Sequence, residues 1–184
     1  NGVAERAVRE YTSTLRRLKL GLEQRLQCRI DFEHPIVDWL AEHSSFVINQ
    51  YLTGSQDGFA AYRRMFDKDY AGTIIEFGEM VWAKPRSAWR YDRRNPSGLA
   101  ARAVAGVWVG VCERTGENIV LTLAGSRAAI MVRTVVRRPF EERWCQDEVL
   151  TAVATPRVPD PGAPGRVDIP TPKEARVAEA RMMF

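Results

Sequence analysis

The apolar positions in the first fifty residues recur at the spacing of α-helices. Over residues 3–27 the gaps between them are three and four, which places them on one face of a single amphipathic helix. That face consists of Val8, Tyr11, Leu15, Leu18, Leu22 and Leu26. A second helix is predicted from Pro35, a residue favoured in the first turn, to Tyr51. Its inner face consists of Ile36, Trp39, Leu40, His43, Val47 and Tyr51.

The pattern changes after the second helix. The turn residues of TGSQDG (53–58) predict a loop, and FAAYRRMF predicts a short third helix. From residue 73 onwards the apolar residues come in short runs, rich in β-branched and aromatic side chains and bounded by Gly and Pro. Four or five such strands predict a small antiparallel β-barrel of the SH3-like kind. The basic segment 86–102 interrupts it as a loop.

These elements predict an α+β chain in three parts. Residues 1–70 carry the helices, residues 71–145 form the small β-barrel, and residues 146–184 form a flexible tail. The tail is predicted from its proline content, since six of the ten prolines lie between residues 156 and 172.

The composition narrows the possible chemistry. The three cysteines are far apart and form no CxxC pair, which indicates free thiols, and the two histidines have no cysteine at the spacing of a zinc site. No apolar run approaches the ~18 residues of a membrane span, and no signal-peptide pattern is visible. A net charge of +4 and a pI of about 9.2 mildly favour an anionic partner such as nucleic acid.

Glu5 opens a charged stripe along the first helix. At ~100° per residue, Glu5, Arg9, Thr12, Arg16 and Lys19 lie within one stripe that borders the apolar face. One interpretation is an ordinary surface, with an acid favoured by the helix dipole and paired with Arg9 for about 0.3–0.5 kcal/mol. The other is a metal ligand followed by cations that hold the phosphates of DNA. Because one carboxylate does not make a two-metal site, the pattern leaves both interpretations open.

Three motifs, taken in order, resemble the Pol polyprotein of copia-type retrotransposons. The opening NGVAERAVRE resembles the segment around the third acid of the Asp-Asp-Glu triad in integrases of the retroviral type, which commonly reads N-G-x-x-E-R. Here Asn1, Gly2, Glu5 and Arg6 match it. The second motif, a loop and helix that leads into an FG-x-x-V strand, and the third, a W-x-G strand, then follow in the family's order. Their matching positions are Asn49, Asp57, Gly58, Ala61, Tyr62, Arg64, Phe77, Gly78, Val81, Trp108 and Gly110.

The resemblance covers residues 1–150 and implies an enzyme that joins DNA. Such integrases have a ribonuclease-H-like core in which two Asp and one Glu bind two Mg²⁺ or Mn²⁺ ions. They join the 3′ ends of element DNA to target DNA by transesterification. By resemblance, residues 1–70 would be the C-terminal helical part of that core, Glu5 would be its catalytic third metal ligand, and the barrel would be a DNA-binding module. The implied partners are element and target DNA and further copies of the integrase, with no membrane, in the nucleus and in cytoplasmic particles.

The same resemblance implies which cations contact DNA, although a solubilising surface cation is the alternative for each. Some follow Glu5 on the first helix, and others lie in the basic loop and near the end of the barrel. In the loop, Trp89 and Tyr91 alternate with arginines, as stacking residues do in nucleic-acid grooves. The implied contacts are Arg6, Arg9, Arg16, Lys19, Arg86, Arg90, Arg93, Arg94, Arg133, Arg137 and Arg138.

The chain departs from the family pattern at its beginning. The zinc-binding module and the two Asp that precede the Glu are absent, so the chain looks truncated and we expect it not to join DNA by itself. Helices 3–27 and 35–51 are then expected to pack mainly on each other, with an exposed apolar face. Two other interpretations stay open: a non-catalytic SH3-like binding module, and a decayed transposon remnant without activity.

Overall fold

Helices come first along the chain and strands follow, in a computed structural model that describes residues 2–54, 57–72, 75–85 and 103–162. The helices within these ranges are α1 (Gly2–Leu26), α2 (Pro35–Tyr51), α3 (Ala61–Phe66) and α4 (Gln146–Leu150). The strands are β1 (Met80–Lys84), β2 (Val104–Val111), β3 (Asn118–Thr122), β4 (Ala129–Val132) and β5 (Thr134–Arg137). This order confirms the α+β class. None of the described helices has the length and apolar character needed to cross a membrane.

The two long helices begin and end close to the predicted residues. α1 is unbroken, and Gln27 ends it in a left-handed conformation with φ 53°. Pro35 opens α2, and the Nδ1 of His34 accepts a hydrogen bond from the Ile36 N–H at 3.2 Å, which caps a donor that has no partner inside the helix. Both helix predictions are therefore confirmed. The buried residues of α2 are Ile36, Val37, Trp39, Leu40, His43, Ser44 and Phe46.

The strands form one antiparallel sheet in the order β4-β3-β2-β1-β5. β1 pairs with both β2 and β5, so Trp82 lies between Ala105 and Val136. The last two strands occupy opposite edges of the sheet, yet only Arg133 separates them along the chain. Such a short connection between the two edges requires a strongly curved sheet. Within the described ranges no ladder joins β4 to β5, so closure into an SH3-like barrel is not confirmed.

One hydrophobic core joins the helices to the sheet. It includes Leu22 of α1, Leu40 of α2, Met80 of β1 and Trp108 of β2, none of them more than 3% exposed. Gly78 shows how closely these layers approach, because its φ is +85° and a Cβ there would collide with the Cδ1 of Leu22. α1 and α2 contact each other as expected, but α2 also packs against β2. The helices therefore pack on each other as predicted, and the sheet in addition covers part of the apolar face of α2, which was expected to be exposed.

The first part of the predicted tail is ordered and contributes to the core. Val149 of α4 and Ala154 are both 0% exposed. The Trp39 Nε1–H donates to the Ala154 carbonyl at 2.8 Å, and the Ala129 N–H donates to the Pro159 carbonyl at 2.6 Å. Proline removes a backbone donor, but it leaves the carbonyl acceptors and the apolar side chains that pack here. The expectation of a flexible tail is therefore corrected over residues 146–162, and residues 163–184 lie outside the described ranges.

Candidate nucleic-acid interface

Glu5 lies in the first turn of α1 and is exposed to solvent, as is every residue from Gly2 to Arg9. A pair of Mg²⁺ ions needs several oxygen ligands held in a fixed geometry. In the part of the chain that the structure describes, no group of three or more His, Cys, Asp or Glu side chains is placed to hold a metal ion. The donor set around Glu5 in these residues therefore does not fit a two-metal centre by itself.

Three of the predicted DNA contacts on α1 are free cations. Arg6, Arg9 and Arg16 are exposed, and none of them forms an ion pair with another described residue. Arg17, on the same helix, differs because its Nη2 lies 3.1 Å from Glu10 Oε1. Arg9 and Arg16 are about 10 Å apart along the helix axis, which is close enough for both to contact one nucleic-acid backbone.

Lys19 is the fourth predicted contact on α1, and the structure places it in an ion pair. Its Nζ lies 2.5 Å from Glu23 Oε1, and its side chain is only 22% exposed. The same carboxylate accepts the Ile30 N–H at 2.8 Å. The hydrogen bond from Ile30, followed by that from Lys19, lowers the pKa of Glu23. Lys19 therefore holds the end of α1 to the following turn.

The structure places Arg137 on a buried carboxylate. Glu79 is 0% exposed, and Arg137 donates from Nε to Oε1 and from Nη2 to Oε2, each at 2.7 Å. Arg143 adds a second cation, with its Nε 3.4 Å from Glu79 Oε1. Paired charge-assisted bonds of this kind offset the cost of burying a carboxylate, and the bond to Glu79 raises the pKa of Arg137. Arg137, which the sequence predicts to be a phosphate contact, joins β5 to the start of β1.

An exposed surface lies on the outward side of β1 and β5, and we call it the Trp82 face. Trp82 is 40% exposed and its cross-strand neighbour Val136 is 58% exposed. The Arg138 Cζ lies 4.4 Å from the Trp82 ring centroid, within the range of a cation–π interaction. Neither β1 nor β5 contains an acidic residue. The Trp82 face consists of Trp82, Lys84, Thr134, Val136 and Arg138.

Arg138 differs from its neighbours because no carboxylate pairs with it in the described residues. Alternation along the strand directs Arg137 to one side of the sheet and Arg138 to the other. Arg137 and Arg143 both contact Glu79, whereas the Nε of Arg138 is buried and has no hydrogen-bond partner within the described ranges. Arg133, another predicted contact, has an 80% exposed side chain with its Nε 3.6 Å from Glu117 Oε1.

Arg138 was predicted from the sequence, whereas Trp82 and Glu79 were not. A usable signal exists for Trp82, because the buried Val81 and Ala83 flank it and Lys84 follows, which is the alternation of a strand with one outward side. The signal for Glu79 is an acid within an apolar run, since a buried carboxylate needs a cation. The sequence does not indicate which arginine supplies that cation.

The predicted contacts of the basic loop lie outside the described residues. The described chain leaves β1 after Lys84 and enters β2 at Val104, and Ala83 pairs with Val104. The last residue of β1 and the first residue of β2, which flank the segment 86–102, therefore lie at the same end of the sheet, where Lys84 of the Trp82 face is found. The predicted residues in that segment are Arg86, Trp89, Arg90, Tyr91, Arg93 and Arg94.

The second matching motif, around Asp57 and Arg64, forms a local turn. The Asp57 Oδ1 accepts the Phe59 N–H at 3.0 Å. Its two oxygens also accept bonds from the Nη2 and Nε of Arg64, at 2.7 and 2.9 Å. The bond from Arg64, followed by that from Phe59, holds the pKa of Asp57 well below its usual range. These motif residues therefore fix the loop that precedes α3.

No protein-family model matches the chain, and neither a curated protein nor a solved structure is significantly similar to it. Inference about the function of the chain therefore rests on its own residues and on the resemblance of its motifs.

Proposed function

We propose that this chain is part of a retrotransposon integrase and that it binds DNA. The observation that carries the proposal is the set of free cations Arg6, Arg9 and Arg16, which follow Glu5 on α1 and have no ion-pair partner among the described residues. Such cations on a rigid helix attract phosphates, and binding releases the counterions of the nucleic acid. The motif NGVAER supports the same assignment by resemblance.

The sheet is, in this proposal, a small SH3-like barrel that binds DNA beside the helices. Its strand order and the single-residue connection at Arg133 support this architecture, because edge strands joined by one residue require a strongly curved sheet. The described strand ends that flank the basic segment 86–102, at Lys84 and Val104, lie at the same end of the sheet, beside the Trp82 face. The cations of this module would be Arg86, Arg90, Arg93, Arg94 and Arg138.

Glu5 is, in this proposal, the third carboxylate of a site whose other two carboxylates lie outside the described residues. A single exposed acid does not bind a pair of metal ions, so we expect this chain alone not to join DNA ends. The longer integrase would act in the nucleus with further copies of itself. A strand-transfer assay with this chain and Mg²⁺ or Mn²⁺ tests the expectation, and formation of joined product would contradict it.

The salt dependence of DNA affinity tests the binding part of the proposal. The affinity of the chain for a labelled duplex would be measured by fluorescence anisotropy between about 50 and 200 mM salt. If Arg6, Arg9 and Arg16 each neutralise one phosphate, they contribute about −3 to the slope of the logarithm of affinity against the logarithm of salt concentration, and the cations proposed for the barrel would make that slope steeper. An affinity that does not depend on salt would contradict a phosphate-based interface.

The alternative function is a non-catalytic module that binds a peptide. The exposed aromatic ring of Trp82 on a small curved sheet favours this alternative, because aromatic-lined surfaces of such modules accept extended peptides. Binding to a peptide that is insensitive to salt, with no binding to DNA, would support it. A decayed transposon remnant would show neither DNA binding nor peptide binding.

A further inference from the structure

We propose that the Trp82 face binds an unpaired nucleotide of single-stranded DNA, with Trp82 stacking on the base and Arg138 contacting the adjoining phosphate. This inference shares its ligand class, nucleic acid, and one residue, Arg138, with the proposed function. It adds a preference for single strands and a site on the sheet that is separate from the cations of α1.

Trp82 is a large aromatic side chain that is exposed on the sheet. Trp39 and Trp108 are 4% and 2% exposed and belong to the core, whereas Trp82 is 40% exposed in the middle of a strand. Its cross-strand neighbours are the small Ala105 on one side and the exposed Val136 on the other. An exposed indole beside small and apolar neighbours offers the kind of stacking platform that nucleic-acid-binding sheets use.

The Trp82 face carries positive charge. Arg138 lies over the ring, Lys84 is exposed two residues along β1, and neither strand has an acid that would neutralise them. Arg137 and Arg143 are engaged by Glu79, but Arg138 forms no ion pair with a residue in the described ranges. An anionic oxygen could therefore pair with Arg138 without breaking an existing ion pair. Charge complementarity thus favours a phosphate-bearing ligand over an acid-poor peptide.

The exposed ring of Trp82 favours single-stranded DNA over duplex DNA. In a duplex the faces of the bases are covered by their neighbours in the stack, whereas an unpaired base can turn its face toward an aromatic ring. Every base has such a face, so the site would tolerate different sequences. In this proposal the base takes the place of the Arg138 guanidinium over the Trp82 ring, and Arg138 turns to the adjoining phosphate. A platform with one exposed indole and one arginine outside any described ion pair therefore fits a single unpaired nucleotide.

The test compares a labelled oligothymidylate with a labelled duplex, using the full chain and fluorescence anisotropy. The change Trp82→Leu keeps an apolar side chain but removes the π-face, and we expect it to lower the affinity for the oligothymidylate by about tenfold. The affinity for the duplex should change by less than about twofold, because the cations remain. Trp82→Phe should keep most of the single-strand affinity. Met131→Leu, at a 52% exposed position on β4, is the matched control and should change neither affinity.

The role of Arg138 is tested by removing its charge. Arg138→Gln should weaken oligothymidylate binding and reduce the magnitude of its salt slope by about one. Arg114→Gln removes the same charge from the exposed turn between β2 and β3 and should have a smaller effect on both. Thermal unfolding of each variant shows whether it is folded. If Trp82→Leu does not fold, oligothymidylate should still quench the tryptophan emission of the unaltered chain, and this quenching should decrease in Trp82→Phe.

The outcomes separate the two proposals. If the chain binds the duplex and Trp82→Leu leaves the oligothymidylate affinity unchanged, the inference about the Trp82 face is overturned while the proposed function stands. An equal loss of affinity for both forms of DNA also overturns it, because the face would then contact only the backbone. If the chain binds neither form, both proposals fail.

Discussion

Glu79 and Arg137 are joined by two hydrogen bonds of 2.7 Å, although the Glu79 side chain is completely buried. Glu79 directly precedes the first strand and Arg137 ends the last one, so the pair lies where β5 returns to β1. Because a buried charge without a partner costs several kcal/mol, this pairing constrains the position of the last strand. It also removes Arg137 from the cations that are available to DNA.

Replacing Glu79 should therefore destabilise the fold. In Glu79→Gln the guanidinium of Arg137 loses its charged partner, and we expect the free energy of unfolding to fall by about 3 kcal/mol. Urea unfolding measures the change. Arg133→Gln is the control, because its 80% exposed side chain should contribute less than about 0.5 kcal/mol. Equal stability of Glu79→Gln and the unaltered chain would mean that the pair does not hold β5 in place.

His43 should make stability depend on pH. The ring is packed among Phe46, Phe77 and Trp108, and this burial lowers the pKa of His43 to about 4, from the ordinary 6.5. The unfolded chain thus binds a proton near pH 6.5, while the folded chain does so only near pH 4. The contribution of the neutral ring is complete above pH 6.5 and is lost as the pH falls to 4, by about 3 kcal/mol in all.

The variant His43→Phe isolates this effect, because it keeps an aromatic ring and removes the titration. Urea unfolding between pH 7 and pH 4 should show a smaller loss of stability for the variant than for the unaltered chain. Carboxylates titrate in both proteins, so the difference between the two curves reports on His43. Identical pH dependence in the two proteins would show that His43 is not buried as a neutral ring.

Replacing Trp39 of α2 should loosen the segment that follows α4. Trp39→Phe removes the hydrogen bond to the Ala154 carbonyl and leaves a buried acceptor without a partner, which costs about 1–3 kcal/mol. Because the bond fixes residues near the end of the described chain, we expect trypsin to cleave faster after Arg157 in the variant. Arg114, on an exposed turn far from this bond in sequence, provides the reference cleavage site. Unchanged cleavage after Arg157 would show that packing alone orders the segment.

The helices could be predicted from the sequence because their signals are local. The apolar stripe of α1 repeats every three or four residues, and Pro35 marks the start of α2. The ordered segment 146–162 could not be predicted in this way, because the hydrogen bond that holds it joins Trp39 to Ala154, 115 residues apart. Proline content describes the local chain and contains no information about such a partner.

The candidate interface could be predicted only in part, for the same reason. The positions of Arg9 and Arg16 follow from helical periodicity and that of Arg6 from the resemblance, and the structure leaves all three free of ion pairs within the described ranges. Lys19 and Arg137 belong to the same predicted set, but the structure gives each of them a carboxylate partner. The tertiary fold determines which cations are paired with a carboxylate. The positions of the basic residues in the sequence do not reveal this pairing.

The central claim is that free cations on α1 bind the DNA backbone, and the salt slope of an α1 variant tests it most directly. The double change Arg9→Gln/Arg16→Gln should weaken duplex binding and reduce the magnitude of the slope by about two, because each of the two arginines would neutralise one phosphate. Arg17→Gln is the matched control, because Arg17 is already paired with Glu10 on the same helix. We predict that its slope equals that of the unaltered chain. Equal slopes for all three proteins, or no duplex binding at low salt, would contradict the account.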